Sequence, residues 1–428
     1  RQHAAFAALA RAFMVSAGGS AGECKSAFAG KGTAMKILIA GGGIGGLTAA
    51  LALLAKGHEV ALFEQSADMG EVGAGLQLGP NALRVLFSLG LEEELAKVSF
   101  EPQGIELRDH VSGRLLTQIP LGARARARYG LPYFHIHRAD LHRLLREAVA
   151  ARSPGTIRTE AKVNGLYQNA RSATLIFEDG AVESGDLIVG ADGIHSAVRT
   201  ALFGARKPTF KKMMAWRGLV PAERLKDVGL RPVVTSWLAP HAHAITYYVR
   251  GGELVNFVGV VERDTWVSEA WMEPGSREEL RRDFGSWHPT LSAVAEAVEN
   301  PFRWALHARA PLASWSSGRV TLLGDACHPM LPFLAQGAAM AIEDACVLAA
   351  SLETAPVPDA LARYEAVRKP RASKVQAQSE ANAGLFHLAH PLLRGGVHFA
   401  MAAGSKLLPG LTASRYDWLM KYDATAAL

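Results

Sequence analysis

The chain has 428 residues, of which 49% are hydrophobic and 20% are charged, and its formal net charge is +6. This composition is typical of a folded globular protein and excludes a chain that is mainly disordered. Three cysteines are too few for a disulfide framework, and no Cys-x-x-Cys pair suggests a zinc site. We therefore expect a cytoplasmic, reduced protein of two or three domains with no metal site.

The basic charge is partly concentrated at the start of the chain. Residues 1–34 are rich in alanine, glycine and serine and carry half of the net charge. Their composition resembles a transit peptide, but Met35 stands directly before a predicted strand, so an upstream extension, non-native or disordered, is the simpler interpretation. The rest of the charge is dispersed, which predicts no nucleic-acid partner. One basic run, Arg124–Arg128, is interpreted as a solvated loop or strand face.

The sequence after Met35 has the pattern of a dinucleotide-binding βαβ unit. Residues 36–40 predict a buried strand, residues 41–46 fit GxGxxG, and residues 47–55 are helix formers. A second strand follows at residues 59–63. The uncharged run Ile37–Ala55 is long enough to cross a bilayer, but its crowded glycines favour a strand, turn and helix, so no membrane partner is expected.

The glycines of this unit, and the acidic residue that follows it, each have a physical role. Gly41 permits the tight turn, Gly43 lets a pyrophosphate approach the backbone, and Gly46 lets the helix pack on the strand. Glu64 ends the second strand, where a carboxylate accepts hydrogen bonds from ribose hydroxyls. The fingerprint alone leaves FAD and NAD open as ligands.

Two later strands end in a turn that contains aspartate. Residues 186–190 run into Asp192, and residues 319–323 run into Asp325. Ligands of open α/β sheets bind outside the carboxyl ends of the strands, so both aspartates are candidate cofactor residues.

A long helix is predicted to begin near Gln336. Its first residues, Gly337 and Ala338, place a helix N-terminus where it can stabilise negative charge on a flavin. His328 lies shortly before this helix without a ligand partner at metal spacing, and we interpret it as a structural loop histidine.

The segment 209–304 alternates with period two. Its two clearest runs, Ala244–Val249 and Leu254–Val261, flank Arg250-Gly-Gly252 and predict a hairpin of an antiparallel sheet. The tail of the chain reads as mostly helical.

Together these motifs resemble the class A flavin-dependent aromatic hydroxylases, in particular the salicylate hydroxylase and 6-hydroxynicotinate 3-monooxygenase group. The resemblance covers nearly all of residues 35–428. It rests on GxGxxG with Glu64, Asp192-Gly193, Gly324-Asp325, Gly73–Asn81, Ile136–His142 and Arg415–Ala424.

The resemblance implies an α/β fold in which a Rossmann-like FAD-binding domain carries an inserted antiparallel-sheet substrate domain and a helical C-terminal tail. The predicted parts are 1–34 as the extension, 35–208 and 305–356 as the two parts of the FAD-binding domain, 209–304 as the substrate domain and 357–428 as the helical C-terminal segment.

The resemblance implies FAD as the cofactor and NADH or NADPH as a transient co-substrate. No second GxGxxG is found, which agrees with transient docking of the nicotinamide. The fingerprint and the resemblance together predict these cofactor-binding residues: Gly41, Gly43, Gly45, Gly46, Glu64, Gln65, Gln77, Arg138, Val163, Asp192, Asp325, Gly337 and Ala338.

The implied function is monooxygenation of a small aromatic acid such as salicylate, with or without decarboxylation, through a C4a-hydroperoxyflavin. This chemistry belongs to the catabolism of aromatic compounds, with the aromatic substrate and O₂ as partners and a monomer or homodimer as the assembly. Alternatives are an epoxidase or antibiotic-inactivating hydroxylase on the same scaffold, or an FAD-binding redox module without turnover.

Departures from the related 6-hydroxynicotinate enzymes shape the predicted pocket. Those enzymes carry histidine where this chain has Gln77, Trp216 and Phe333. Trp216 and Phe333 are therefore predicted as substrate residues of a more apolar pocket. The candidates for removing a phenolic proton are His243, Tyr247, a water or the substrate's own carboxylate.

Overall fold

The computed structural model describes residues 34–69, 74–265, 272–408, 410 and 414–428. The predicted extension, apart from Ala34, lies outside the described residues, as does Gly73 of the Gly73–Asn81 motif. In the part of the chain that is described, no helix combines the length and apolar character needed to cross a membrane.

The strands are numbered here in chain order. They are β1 (Lys36–Ala40), β2 (Glu59–Phe63), β3 (Gly75–Leu78), β4 (Gly104–Asp109), β5 (Leu115–Pro120), β6 (Phe134–His137), β7 (Ile157–Arg158), β8 (Val163–Gln168), β9 (Ala173–Phe177), β10 (Val182–Gly185), β11 (Leu187–Gly190), β12 (Thr209–Pro221), β13 (Val234–Ala239), β14 (Ala242–Val249), β15 (Leu254–Glu262), β16 (Met272–Pro274), β17 (Phe302–Ala308), β18 (Ser316–Ser317) and β19 (Val320–Leu322).

The α-helices follow the same convention. They are α1 (Ile44–Ala55), α2 (Pro80–Ser88), α3 (Glu92–Val98), α4 (Ala123–Tyr129), α5 (Arg138–Arg152), α6 (Ala197–Phe203), α7 (Arg277–Phe284), α8 (Pro289–Ala297), α9 (Gly337–Leu352), α10 (Val357–Phe386), α11 (Pro391–Leu407) and α12 (Asp417–Met420).

A six-stranded sheet forms the centre of the dinucleotide-binding half, in the order β18-β19-β11-β1-β2-β7. Strand β1 pairs in parallel with β2 and with β11, and β11 pairs in parallel with β19. Residues 37–40 are fully buried, as expected for a parallel strand covered on both faces, and α1 packs against α9 beside the sheet. The predicted Rossmann-like α/β half, with its βαβ opening, is confirmed.

An eight-stranded sheet forms the second half, in the order β16-β17-β12-β15-β14-β13-β4-β5. The predicted hairpin is present as the antiparallel pair β14 and β15. Strands β4 and β5 precede residue 209, however, and β4 joins the sheet by parallel pairing with β13. The sheet therefore draws on more of the chain than the predicted range 209–304, and the domain boundaries by residue range stay a prediction.

The two faces of this sheet pack against different partners. Alternate residues of β12 and its neighbours pack against α7 and α8 in one buried cluster, and the opposite face packs near the end of α10. Helices α10 and α11 form the predicted helical C-terminal part, and α11 lies against β5. The basic run 124–128 belongs to α4, so the loop or strand expected there is wrong, although its arginines are exposed.

Candidate active site

The turn between β1 and α1 is shaped for a phosphate group. A side chain at Gly41, which has φ +104°, would bring its Cβ within 2.5 Å of the Ala191 carbonyl oxygen, and one at Gly46 would collide with the Gly41 carbonyl oxygen. By contrast, a Cβ at Gly43 would meet nothing within 4 Å. Two of the glycines thus hold the loop tightly and the third leaves open space in front of the N-terminus of α1, which is where a pyrophosphate binds in this type of loop.

The residues around this loop support it. Gly45 packs on Leu323, whose Cδ2 would lie 2.7 Å from an added Cβ. Glu64 accepts hydrogen bonds from the backbone N–H groups of Gly42 at 2.7 Å and Ser66 at 3.0 Å. These bonds fix the carboxylate at the end of β2 beside the glycine loop. Gln65 follows it in an exposed position, and Val163 begins β8 in a partly buried one.

Charged side chains of opposite sign lie at the carboxyl ends of the strands. Asp325 stands in the turn Gly324–Ala326 directly after β19, and Arg138 begins α5. The two are close enough for the charge of Arg138 to act on the Asp325 carboxyl. A guanidinium suits a pyrophosphate and a carboxylate suits a ribityl hydroxyl, so this pair fits FAD.

Asp192 stabilises the turn that follows β11. Its carboxylate accepts hydrogen bonds from the Ser196 hydroxyl and from the backbone N–H groups of Ala197 at 2.7 Å and Val198 at 3.1 Å. Burial raises the pKa of Asp192, and these bonds oppose that rise. The carboxylate therefore closes the turn before α6, and direct contact between Asp192 and a cofactor stays a prediction.

Helix α9 begins at Gly337 and Ala338, as predicted, and contributes a helix N-terminus to the same site. The residue before it, Gln336, is buried and accepts a hydrogen bond from Asn81 at 3.0 Å. Asn81 also donates to Glu343 at 2.7 Å, so the start of α9 is tied to its second turn through α2.

A buried ion network lies behind this helix. Arg368 donates to Glu343 at 2.6 Å and to Asp344 at 2.7 Å, and Asp344 is also bonded to His328. Burial alone would raise the pKa of Asp344, but the charges of His328 and Arg368 outweigh it and lower that pKa to about 2. This network could not be predicted from the sequence, because no spacing rule links His328, Asp344 and Arg368.

The same network accounts for a cluster that could otherwise suggest a metal. Ligand atoms of Cys327, His328 and Asp344 lie within 4.8 Å of one another. Arg368 already neutralises this carboxylate, and burial raises the pKa of the Cys327 thiol well above its usual value. A protonated thiol and a bound guanidinium disfavour a cation at this position.

Trp216 does not lie where the sequence predicted it. Its side chain packs in the cluster formed with α7 and α8, and its indole N–H donates to Asp283 at 2.8 Å. Residues 213 and 215 face the opposite side, where they pack with Phe333. Trp216 therefore faces away from the cavity, and its predicted placement in the substrate pocket is wrong.

His243 and Tyr247 project from the face of the sheet that is opposite to Trp216. They lie on the same face of β14 as Ile245, which lines a large cavity. The His243 ring lies 5.1 Å from the ring of Phe333 and 5.2 Å from the ring of Phe386, centre to centre. Both phenylalanines line the same cavity, so His243 packs against side chains of the cavity wall, and its contact with a substrate stays a prediction.

Burial separates the two candidates chemically. It lowers the pKa of His243 well below its usual value, and the neighbouring His387 lowers it further. Burial also raises the pKa of Tyr247 despite the charge of Arg217. A tyrosine that stays protonated can donate a hydrogen bond but cannot remove a proton, whereas a neutral imidazole can accept one.

The cavity lies between β3, the eight-stranded sheet and the C-terminal helices and has a volume of about 820 Å³. Phe333 and Gln77 both line it; the Gln77 side chain accepts a hydrogen bond from Tyr133 at 2.8 Å. Phe333 thus lines the cavity, and its contact with a substrate stays a prediction. Gln77, predicted with the cofactor residues, lies on the wall of this cavity.

The charge of the cavity wall has one sign. Arg124, Arg128 and Arg415 line it, and among the described residues that line it there is no carboxylate. Arg128 is held by Asp417 in a two-point ion pair, whereas Arg124 points to the cavity from the same helix without an acidic partner in the described chain. The roles of Arg124 and Arg128 were not predicted from the sequence, because their run was assigned to a solvated surface.

Comparisons with known proteins agree with this geometry. Residues 34–379 match the family described as FAD binding domain. A 3-amino-4-hydroxybenzoate 2-monooxygenase of Streptomyces platensis is 42% identical over 82% of this chain and 89% of its own length. A 6-hydroxynicotinate 3-monooxygenase of Pseudomonas fluorescens is 38% identical over 82% of this chain and 91% of its own.

Among solved structures, a salicylate hydroxylase in complex with its substrate superposes with a TM-score of 0.76 and 29% identity, covering 92% of this chain and 97% of that one. The glycine loop, the charged strand ends and the helix N-terminus fit FAD, as the fold does. The chain therefore belongs to the FAD binding domain family and, within it, to the class A flavin-dependent aromatic hydroxylases.

Proposed function

We propose that this enzyme uses NADH or NADPH to hydroxylate a small aromatic acid that bears a ring hydroxyl, such as salicylate or an aminohydroxybenzoate. The observation that carries this proposal is the cavity, whose described wall has no carboxylate and carries three arginines, of which only Arg128 is held by an ion pair with Asp417. Such a wall favours an anionic ligand over a neutral or cationic one. Aromatic side chains, including Tyr129, Phe333 and Tyr416, supply flat apolar contacts for a ring.

The substrates named for the relatives support the same class. The names of the Streptomyces platensis and Pseudomonas fluorescens enzymes specify a hydroxybenzoate and a hydroxynicotinate, which both combine a carboxylate with a ring hydroxyl. Phe333 faces the cavity of this chain and increases its apolar surface. We therefore favour a benzoate ring over a pyridine ring.

Bound FAD would supply the activation of O₂, one atom of which is transferred to the substrate ring. The Gly41–Gly46 loop, Arg138 and Asp325 would hold the cofactor, and the N-terminus of α9 would stabilise negative charge on it. The apolar wall excludes water from the reacting ring. His243 removes the proton of the ring hydroxyl, which makes the ring more nucleophilic.

The test is a substrate panel with the purified, FAD-loaded protein. Salicylate, 3-amino-4-hydroxybenzoate, 3-hydroxybenzoate and 6-hydroxynicotinate are compared with phenol, which lacks the carboxylate. We expect at least one benzoate to stimulate NADH or NADPH oxidation and O₂ uptake, with a product heavier by one oxygen, or with release of CO₂ from salicylate. Equal stimulation by phenol would contradict an acid substrate, and FAD reduction without substrate stimulation would indicate a redox module.

A further inference from the structure

A line of hydrogen-bonded titratable groups runs from His243 to the surface. His243 Nδ1 lies 2.8 Å from His387 Nε2, and His387 Nδ1 lies 3.0 Å from Glu262 Oε1. The other oxygen of Glu262 lies 2.7 Å from His241 Nδ1. We refer to His243, His387 and Glu262, with His241 at the outer end, as the relay.

The relay crosses from the protein interior to solvent in a few steps. His243 and His387 are 1% and 5% exposed, whereas the side chains of Glu262 and His241 are 42% and 64% exposed. The fold holds the line in place, because Glu262 ends β15 beside the turn that carries His241. The backbone N–H of His241 also donates to the carbonyl oxygen of His387 at 3.2 Å.

The Glu262 carboxylate fixes which ring nitrogen carries each proton. A carboxylate only accepts, so His387 must donate to it from Nδ1–H, which leaves His387 Nε2 as an acceptor. His387 Nε2 then accepts from Nδ1–H of His243. The remaining nitrogen of His243, Nε2, consequently carries a lone pair, which is the form a base needs.

We propose that the relay carries the proton of the substrate's ring hydroxyl from His243 through His387 to Glu262 and the solvent. This inference rests on the proposed function and identifies His387 and Glu262 as positioning residues that act through His243. The O–H bond of the substrate breaks as Nε2–H forms on His243. The Nδ1 proton of His243 moves to His387 Nε2, and the Nδ1 proton of His387 moves to Glu262, from which solvent removes it.

This path avoids a buried positive charge. Each imidazole gains one proton and loses another, so both stay neutral while only their tautomers change. Burial lowers the pKa of His243 and also that of His387, where the Glu262 charge opposes the effect. An imidazolium at His243 would therefore be costly, and a relay removes the need for one. Transfer in the reverse direction, when product takes up a proton, restores the first tautomers.

The groups that face the relay come from each element around it. The end of α10 contributes Phe386 and His387, and the turn Pro332–Leu334 contributes the apolar Phe333. At the outer end, the Arg263 guanidinium donates to the Glu262 carbonyl oxygen at 3.1 Å. His241, Glu262 and Arg263 are therefore the charged or titratable groups whose state affects the solvent end.

The experiment compares His387→Gln and Glu262→Gln with the wild type. Glutamine can hydrogen-bond in either place but cannot pass a proton along. We expect His387→Gln to lower kcat about tenfold at pH 7 and Glu262→Gln to lower it about threefold. The loss should shrink as the pH approaches the pKa of the substrate hydroxyl, while KM and FAD content stay within about twofold of the wild type.

Two exposed positions give matched controls: Glu380→Gln on α10 and His390→Gln at the start of α11 should leave the kcat profile unchanged. An equal loss of kcat at every pH in His387→Gln would indicate a merely structural role and would overturn the relay. A wild-type profile in both relay variants would overturn it as well. Because Glu262 is half exposed, its variant tests the relay even where His387→Gln does not fold.

A second measurement needs no substrate. In protein labelled with ¹⁵N-histidine, long-range ¹H–¹⁵N spectra report the tautomer of each ring. We expect His243 and His387 to be neutral, with the proton on Nδ1, at pH 7. A proton on Nε2 of either ring, or a charged ring, would overturn the relay. If no aromatic acid in the panel is hydroxylated, the proposed function fails, and this spectrum still decides the order of protons in the relay.

Discussion

The dinucleotide-binding loop and the cavity face of the eight-stranded sheet are built in different ways. The loop consists of the six residues from Gly41 to Gly46. Its shape depends on Gly41 and Gly46, which have no room for a side chain. The cavity face is assembled from β12, β13, β14, the end of α10 and the turn at Phe333. A local motif therefore specifies the first site, whereas the second depends on which face of a strand turns inward.

The largest effect should come from the loop. Gly46→Ala should lower the free energy of unfolding by about 3 kcal/mol and abolish FAD retention, because its Cβ collides with the Gly41 carbonyl oxygen. Gly43→Ala should leave the stability of the FAD-free protein unchanged but weaken FAD binding by about tenfold or more, because its Cβ meets only the cofactor. Denaturant unfolding and FAD titration separate the two. Equal stability losses in both variants would contradict the distinction between packed and open glycines.

The next largest expected effect is a loss of kcat that depends on which face of the eight-stranded sheet carries the substituted residue. His243→Gln should lower kcat by about 100-fold or more at pH 7, since it removes the proposed base. Trp216→Phe is the matched control on the opposite face and should leave kcat and the ratio of product to hydrogen peroxide unchanged, with a small loss of stability from the Asp283 bond. Steady-state kinetics with peroxide detection measures both. Uncoupling in the Trp216 variant would return that residue to the pocket.

Acid should weaken the buried ion network behind α9. The folded-state pKa of Asp344 is about 2, below its usual value, so its ionised form stabilises the fold above about pH 4 and loses that contribution as the pH falls towards 2. The contribution corresponds to about 2 kcal/mol. Asp344→Asn should cost about 3 kcal/mol at pH 7, because Arg368 loses a buried partner. Urea unfolding of this variant and of Asp359→Asn, an exposed control, checks the value across pH 2 to 7.

The smallest expected effect is a change in KM on substitution of Arg124, which lines the cavity. Arg124→Gln should raise KM for an aromatic acid about threefold at low ionic strength, and the difference should shrink in salt. Arg126→Gln on the same helix is the control, because Arg126 is paired with Glu101. No change in KM for the Arg124 variant would show that the anion is bound elsewhere in the cavity.

Elements with a local sequence motif were predicted correctly from the sequence. The strands β1, β2, β11 and β19, the start of α9 and the hairpin of β14 and β15 were all predicted near their observed bounds. Their signals are short apolar runs and glycine turns, which depend little on distant residues.

Long-range features were missed or inverted. Period two assigns Trp216 and Arg217 to opposite faces, but only packing against α7 and α8 determines which face is away from the cavity. His387 and Glu262 lie 144 and 19 positions from His243 in chain order, and only the end of α10 against the hairpin turn brings them together. No spacing rule links such residues.

The pairing of β1 has a consequence for biosynthesis. Strand β1 ends at Ala40, yet its neighbour in the sheet, β11, begins only at Leu187. Strand β19, which pairs with β11, begins at Val320. During translation the glycine loop emerges long before Ala191 and Leu323, the residues that shape it. Nascent chains thus carry an incomplete phosphate cradle until about three quarters of the chain has been made, so flavin loading must wait at least for Leu323, and such distant pairing makes folding slow.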